Sequence, residues 1–177
     1  MITLHIDFFA SSVYFYAEIW NNNLNKFSKC GMVFDTGASM TTIDTKLALR
    51  AGYSLKNVET LSVSTPRGLM QAKRVVLRDF KLGGVELGPV MVDVVDFHEG
   101  SNIFACLGMN IIREFKTTAD WDDSHEVWND KTKRPDKYDA KIYLEPKYDI
   151  ATKPEFENFT PTSSRYGLWM INRQKGQ

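Results

Sequence analysis

Only two cysteines, Cys30 and Cys106, occur among 177 residues, too few for the disulfide framework of a small secreted domain. Two free, buried thiols are the expectation. Charge of one sign is equally lacking. The 22 basic residues balance 22 acidic ones, so no overall basic field points to nucleic acid or to an anionic membrane surface. No apolar run approaches the roughly 20 residues that span a bilayer, and the N-terminus shows no basic region, apolar stretch and small-residue cleavage site. These absences predict a soluble, cytoplasmic protein with no nucleic-acid or membrane partner.

Several motifs are missing in a way that excludes chemistry. "HEGSN" at His98 and "HEVWN" at His125 begin like a zinc helix but lack the second histidine four residues on, so the ligand geometry is absent. The cluster Asp120, Asp122, Asp123 and Glu126 lacks the central glycine and spacing of a calcium loop. Solvated loop faces are the expectation for both, and no metal site is predicted. There is no GxSxG, no GxGxxG and no GxxxxGK, which removes the common nucleophile elbow and phosphate cradles.

What is present is an ordinary globular composition, 43% hydrophobic and 25% charged, arranged largely with strand periodicity. Ile2, Leu4, Ile6 and Phe8 alternate with polar residues, and "SVYFYAEIW" is rich in β-branched and aromatic side chains. "TTIDTKLALRAGY" suits a short helix capped by Asp44 or Thr45 and closed by Gly52. Two hairpins follow, one turning at Thr65, Pro66, Arg67 and Gly68, the other at Gly83 and Gly84. "NIFACLGMNIIREFK" runs from an apolar strand through Gly108 into an amphipathic turn or two of helix. Beyond Lys116 the chain becomes polar, with "KIYLEP" an isolated strand and "YGLWMI" a last apolar segment.

The unusual stretch is "GMVFDTGASMTTID", residues 31 to 44. An apolar strand runs straight into Asp35, and a carboxylate there is costly to desolvate unless hydrogen bonds surround it or it performs chemistry. A turn aspartate capping backbone N–H groups is the plain alternative. Capping alone does not account for the flanking hydroxyls of Thr36 and Ser39, or for a second apolar strand ending in Leu107 and Gly108 some seventy residues on.

These elements together resemble the retropepsin-like (retroviral-type) aspartic proteases. The similarity is carried by "VFDTGAS" at 33 to 39, the hairpin "STPRG" at 64 to 68 in the place of the family's flap, and "FACLGMNIIREF" at 104 to 115, in that order over about residues 12 to 116. The resemblance implies a mainly β fold, a small closed antiparallel β-barrel of the acid protease type with one or two short helices. It implies Asp35 as catalytic residue, with Thr36, Gly37, Ala38 and Ser39 supporting the loop. Thr36 would bond across a dimer, and Ser39 would help hold the carboxylate. It further implies Thr65, Pro66, Arg67 and Gly68 as flap and substrate cleft, and Cys106, Leu107 and Gly108 as the strand beside the catalytic loop.

Neither D-T-G nor D-S-G recurs in the sequence. Hydrolysis by this chemistry needs two carboxylates sharing a proton around a water, so one chain supplies half a site. The expectation is therefore a homodimeric aspartic endopeptidase acting on peptide or protein substrates without a cofactor. A catalytically silent dimerisation or peptide-binding module is the alternative, and a monomeric β scaffold is a third reading. Residues 1–116 would form the protease domain and 117–177 a C-terminal extension packed on it or on the dimer interface. Strand 2–8, with a strand near 141–144 or 167–171, is the expected dimer contact.

Overall fold

The computed structural model describes residues 1–9, 12–65, 68–97 and 103–147. Pro66, Arg67, His98 and the segment 167–171 lie outside the described residues. Alternation of apolar and polar residues sets the first strands, as expected. β1 (Ile2–Phe9) and β2 (Ser12–Asn21) pair antiparallel, and β2 in turn pairs with β3 (Lys26–Phe34). Along β2, Phe15, Ala17 and Ile19 are buried while Tyr16 on the opposite face is exposed. That is the period of two of a strand with one covered face.

β4 (Thr42–Asp44) leads directly into α1 (Thr45–Arg50). Asp44 is the N-cap: its Oδ1 accepts from the Lys46 N–H at 2.8 Å, and Oδ2 accepts from the Phe97 N–H at 3.0 Å. The flap-like hairpin is β5 (Thr60–Thr65) and β6 (Gly68–Leu82), and β6 turns through Gly83 and Gly84 into β7 (Val85–Val95). β8 (Ala105–Leu107) precedes the single turn α2 (Met109–Ile112).

One long strand joins the two sides of the core. β6 pairs with β7 up to Leu77, shifts register before Phe80 and again before Lys81, and over Phe80–Leu82 pairs with β7 on one side and with Ile19–Ala17 of β2 on the other. Asp79 pins that irregularity, its Oδ1 accepting from the N–H groups of Phe80 and Gly88. The pairings β2–β3–β8–β4–β7–β6–β2 thus close a ring, with Phe15, Met32, Ile43, Leu77, Phe80 and Leu107 fully buried. Burial of each such side chain stabilises the fold by about 1.5–3 kcal/mol.

The protein is mainly β, but the sheet differs from the small antiparallel one expected. It has ten strands, and β3–β8 and β4–β7 are parallel pairs. The polar region after Lys116 supplies three strands that the sequence reading missed: β9 (Phe115–Asp120), β10 (His125–Asn129) and β11 (Arg134–Tyr138). Residue 116 itself lies within β9. "KIYLEP" is not isolated, since β12 (Ala140–Pro146) lies between β1 and β9, with Leu4 opposite Ile142 and Ile142 opposite Ala119. Strands 2–8 and 141–144, proposed as partners across a dimer, therefore pair with each other inside one chain. β10 and β11 form a separate two-stranded sheet. No helix among the described residues is long and apolar enough to cross a membrane.

Candidate active site

Asp35 follows the last residue of β3, where the ladder to β8 runs out. Val33 and Phe34 lie beside Cys106 and Leu107, and the Asp35 N–H makes the last bond of that ladder, to the Leu107 carbonyl at 3.0 Å. The chain then turns, with the Ala38 N–H donating to the Asp35 carbonyl. The Asp35 carboxylate is half-buried. Its Oδ1 accepts the Gly37 N–H at 2.9 Å, and Oδ2 has no hydrogen bond among the described residues. Thr36 and Gly37 at the tip of the turn are exposed.

The loop is fastened to α2 from below. The carbonyls of Ala38 and Ser39 accept the N–H groups of Met109 and Asn110 at 2.8 and 3.0 Å, donors that the start of a helix leaves without intrahelical partners. Ser39 thus contributes its backbone carbonyl rather than a hydroxyl bond to the Asp35 carboxylate.

Two residues overlooked in the sequence hold this arrangement. Thr41 and Asn110 are essentially inaccessible. Asn110 Oδ1 accepts from both the Thr41 N–H (2.6 Å) and the Thr41 hydroxyl (2.8 Å), while Asn110 Nδ2 donates to the Met91 carbonyl at 3.1 Å. The Thr41 hydroxyl in turn accepts the Gly108 N–H at 3.1 Å. One buried amide therefore ties the chain just after the Asp35 loop to α2 and β7. The signal was a lone amide within the apolar run "CLGMNII", which demands partners wherever it is buried. Asn110→Ala would strand the Thr41 N–H and the Met91 carbonyl without partners. We expect it to cost about 2–4 kcal/mol, read as a lowered urea midpoint.

Gly108 shows why glycine stands there. A Cβ at this position would sit 2.4–2.6 Å from backbone atoms of Met40 and Thr41, so the Asp35 loop and the β8–α2 junction approach more closely than any side chain allows.

Cys106 is half-buried rather than buried, and both cysteines are free. Burial first, and the Asp35 charge second, push the Cys106 thiol up to about 11, so it stays protonated at neutral pH and is a poor nucleophile. Burial pushes Cys30 up to about 12.

Cys106 belongs to a lateral row of register partners, Tyr14, Val33, Cys106, Thr42, Asp93 and Arg74, on one face of the sheet. The buried Asp93 in that row is satisfied by two bonds from Arg74, Nε to Oδ1 at 2.8 Å and Nη2 to Oδ2 at 3.1 Å. The hydrogen-bonded carboxylate raises the Arg74 guanidinium above its ordinary value.

The structure brings Asp35, Thr36, Gly37, Ala38 and Ser39 together with Cys106, Leu107 and Gly108. Of the flap, Thr65 and Gly68 are opposed in register, with the Thr65 hydroxyl donating to the Gly68 carbonyl at 2.9 Å. The hairpin stands at one edge of the ten-stranded sheet, with Leu69 near its tip strongly exposed. His125 and Asp123, expected on a solvated loop, are instead half-buried partners of other side chains. No group of three metal-ligating side chains occurs among the described residues.

The family profile described as aspartyl protease matches residues 20–111, just over half of the chain, and so spans the Asp35 loop, the flap hairpin and the β8–α2 junction. The fold is similar to that of a retropepsin-like aspartic protease from Rickettsia conorii. The two share 22% identity at a TM-score of 0.51, over 81% of this chain and 99% of that one. The chain belongs to the retropepsin-like aspartic protease family. A further similarity, at 13% identity and a TM-score of 0.39, is to the retroviral protease-like domain of Ddi1 from Leishmania major, covering 84% of this chain and 98% of that one. No curated protein sequence matches this family member.

Proposed function

We propose that the protein is a homodimeric aspartic endopeptidase in which each of two chains contributes one Asp35 carboxylate. The observation that carries this reading is the state of Asp35. It stands at the end of a strand that is buried at Cys30–Met32 and half-buried at Val33 and Phe34, one oxygen is held by the Gly37 N–H, and the other is unengaged among the described residues. The exposed Thr36–Gly37 tip is where a second copy could approach about a twofold axis. The ring of six paired strands we read as the family's closed barrel, serving as the rigid mount for that loop.

Two carboxylates placed close together cannot both ionise, so the pair holds one proton. The ionised member takes a proton from a water as it attacks the scissile carbonyl. The protonated member donates to the carbonyl oxygen, and the tetrahedral intermediate then collapses with protonation of the leaving amine. Thr36 would brace the two loops across the axis, while the β5–β6 hairpin would cover a peptide lying over Asp35, Val33 and Cys106.

A silent peptide-binding or dimerisation module is favoured by one observation only, that Asp35 also caps its own turn through Gly37. The two readings part on dilution. For the peptidase, cleavage per chain is expected to fall through the concentration range in which sedimentation velocity shows dimers dissociating. A protein that is monomeric throughout and still cuts peptides at a constant rate per chain contradicts the paired-carboxylate site.

A further inference from the structure

The β10–β11 hairpin forms a sheet of its own, so its position depends on what ties it to the main sheet. One root is fixed by backbone. The Asp139 N–H donates to the Ile6 carbonyl at 2.8 Å, and Asp139 Oδ2 accepts the Phe8 N–H at 2.9 Å. On the other strand the tie to β1 is a pair of imidazoles, with His5 Nδ1 lying 2.7 Å from His125 Nε2.

The tautomers follow from the surroundings. His125 Nδ1 lies 2.7 Å from the Asp123 carbonyl. A carbonyl only accepts, so Nδ1 carries the proton. Nε2 of the neutral ring is then bare, and His5 Nδ1–H must be the donor across the pair. One further proton, on His5 Nε2, leaves that bond intact. A second would set N–H against N–H and one cation against another at hydrogen-bonding distance.

We propose that the His5–His125 pair is an acid-released latch, which holds β10 against β1 at neutral pH and frees that strand of the hairpin when both rings are protonated.

The facing charges set its range. Lys141, opposite His5 on β12, donates to Asp123 Oδ2 at 2.6 Å, and Asp123 Oδ1 lies 3.9 Å from His125 Nδ1. Asp120 faces Lys141 from β9. The Tyr138 ring on β11 stacks on His125 at 5.6 Å and lies 5.1 Å from His5. Further along, burial first and then the charges of Asp139 and Asp136 raise Asp7 on β1 above its ordinary value, with Lys29 opposing.

Burial, then His125 and Lys141, lower His5 below its ordinary 6.5, with Asp123 opposing. A base with a lowered pKa binds fewer protons docked than undocked. Docking is therefore at full strength above 6.5, is weakened by the first proton as pH falls toward the lowered value, and is lost only when the second proton binds. The Lys141 bond holds Asp123 below the usual carboxylate range, so that ion pair outlasts the histidine pair on acidification.

Release matters because of where the hairpin lies. Burial, then the charges of Asp136, Asp7 and Tyr16, raise Tyr138 above its ordinary value, and Asp7 is in register with Tyr14, Val33 and Cys106. The latch thus sits on β1, whose register row through Asp7, Tyr14, Val33 and Cys106 runs to the strands that carry the Asp35 loop. It goes beyond the peptidase reading and stands whether or not Asp35 is catalytic.

The test is amide hydrogen exchange of the full-length protein between pH 7.5 and 5.0, corrected for intrinsic rates, with His5→Gln and His125→Phe beside wild type. Protection in residues 125–129 is expected to fall at least tenfold in wild type, while β2 and β3 hold steady. In both variants that pH dependence should disappear, whatever their level of protection. A flat wild-type profile overturns the proposal, as does an undiminished tenfold fall in either variant. Ring ¹⁵N shifts at pH 7.5 that place the His125 proton on Nε2 also overturn it.

Discussion

Replacing Gly108 with alanine is expected to destabilise the protein by about 3 kcal/mol or more. The backbone there, φ −99° and ψ 176°, is open to any residue, so the effect is steric throughout. The added methyl meets the Met40 carbonyl carbon and oxygen and the Thr41 nitrogen at 2.4, 2.5 and 2.6 Å. These are main-chain atoms and cannot rotate aside as a side chain would. Relief requires residues 40–41 to move away from α2, which breaks the Gly108–Thr41–Asn110 bonds and carries the Asp35 loop with them.

Gly84→Ala is the control. Its φ of +82° strains alanine, but nothing lies within 4 Å of the added carbon, so about 1–2 kcal/mol is expected. A shift in melting temperature of roughly 2–4 °C per kcal/mol separates the two. A Gly108→Ala protein no less stable than Gly84→Ala would contradict the close approach that positions the site.

The parts of the fold that were readable are those where chemistry is local. Alternation in Ile2–Phe8 and in "SVYFYAEIW" marks β1 and β2 because each buries one face, and Gly83–Gly84 marks a hairpin because only special backbone turns there. β9, β10 and β11 were missed for the converse reason. Thr117, Thr118, Glu126, Trp128, Arg134 and Pro135 are exposed, so these strands carry no apolar stripe for a period-two reading to find. The β10–β11 turn also depends on Lys133 in a left-handed conformation (φ 55°), which its sequence does not announce.

At the site, Asp35 and Gly108 stood out because an acid after an apolar strand and a glycine before a helix are unusual locally. Thr41 and Asn110 did not, since their meaning lies in each other, 69 residues apart. The parallel pairing of β3 with β8 is likewise a long-range fact. The resemblance to a family anticipated the neighbourhood of Leu107, while the hydrogen bonds that fix it join residues about seventy positions apart, where no local pattern reaches.

Asp35→Asn is the second change with a large expected effect, and it separates chemistry from structure. Asparagine is nearly isosteric and its Oδ1 can still accept the Gly37 N–H, so stability should change by no more than about 0.5 kcal/mol. The amide can neither take a proton from water nor share one with a carboxylate. Losing that general acid–base function alone is worth roughly 10²–10⁴-fold in rate, and in a homodimer both halves of the site are altered together. A pure turn aspartate predicts the same small change in stability, since the cap to Gly37 survives, and no activity to lose.

The most direct measurement is therefore cleavage of a diverse peptide library by wild type and Asp35→Asn, from acidic to neutral pH, with both proteins shown to be folded. The account predicts defined cut sites for wild type and their loss in the variant at every pH. A wild type that cuts nothing, or a variant that cuts the same peptides at the same rate, would contradict it.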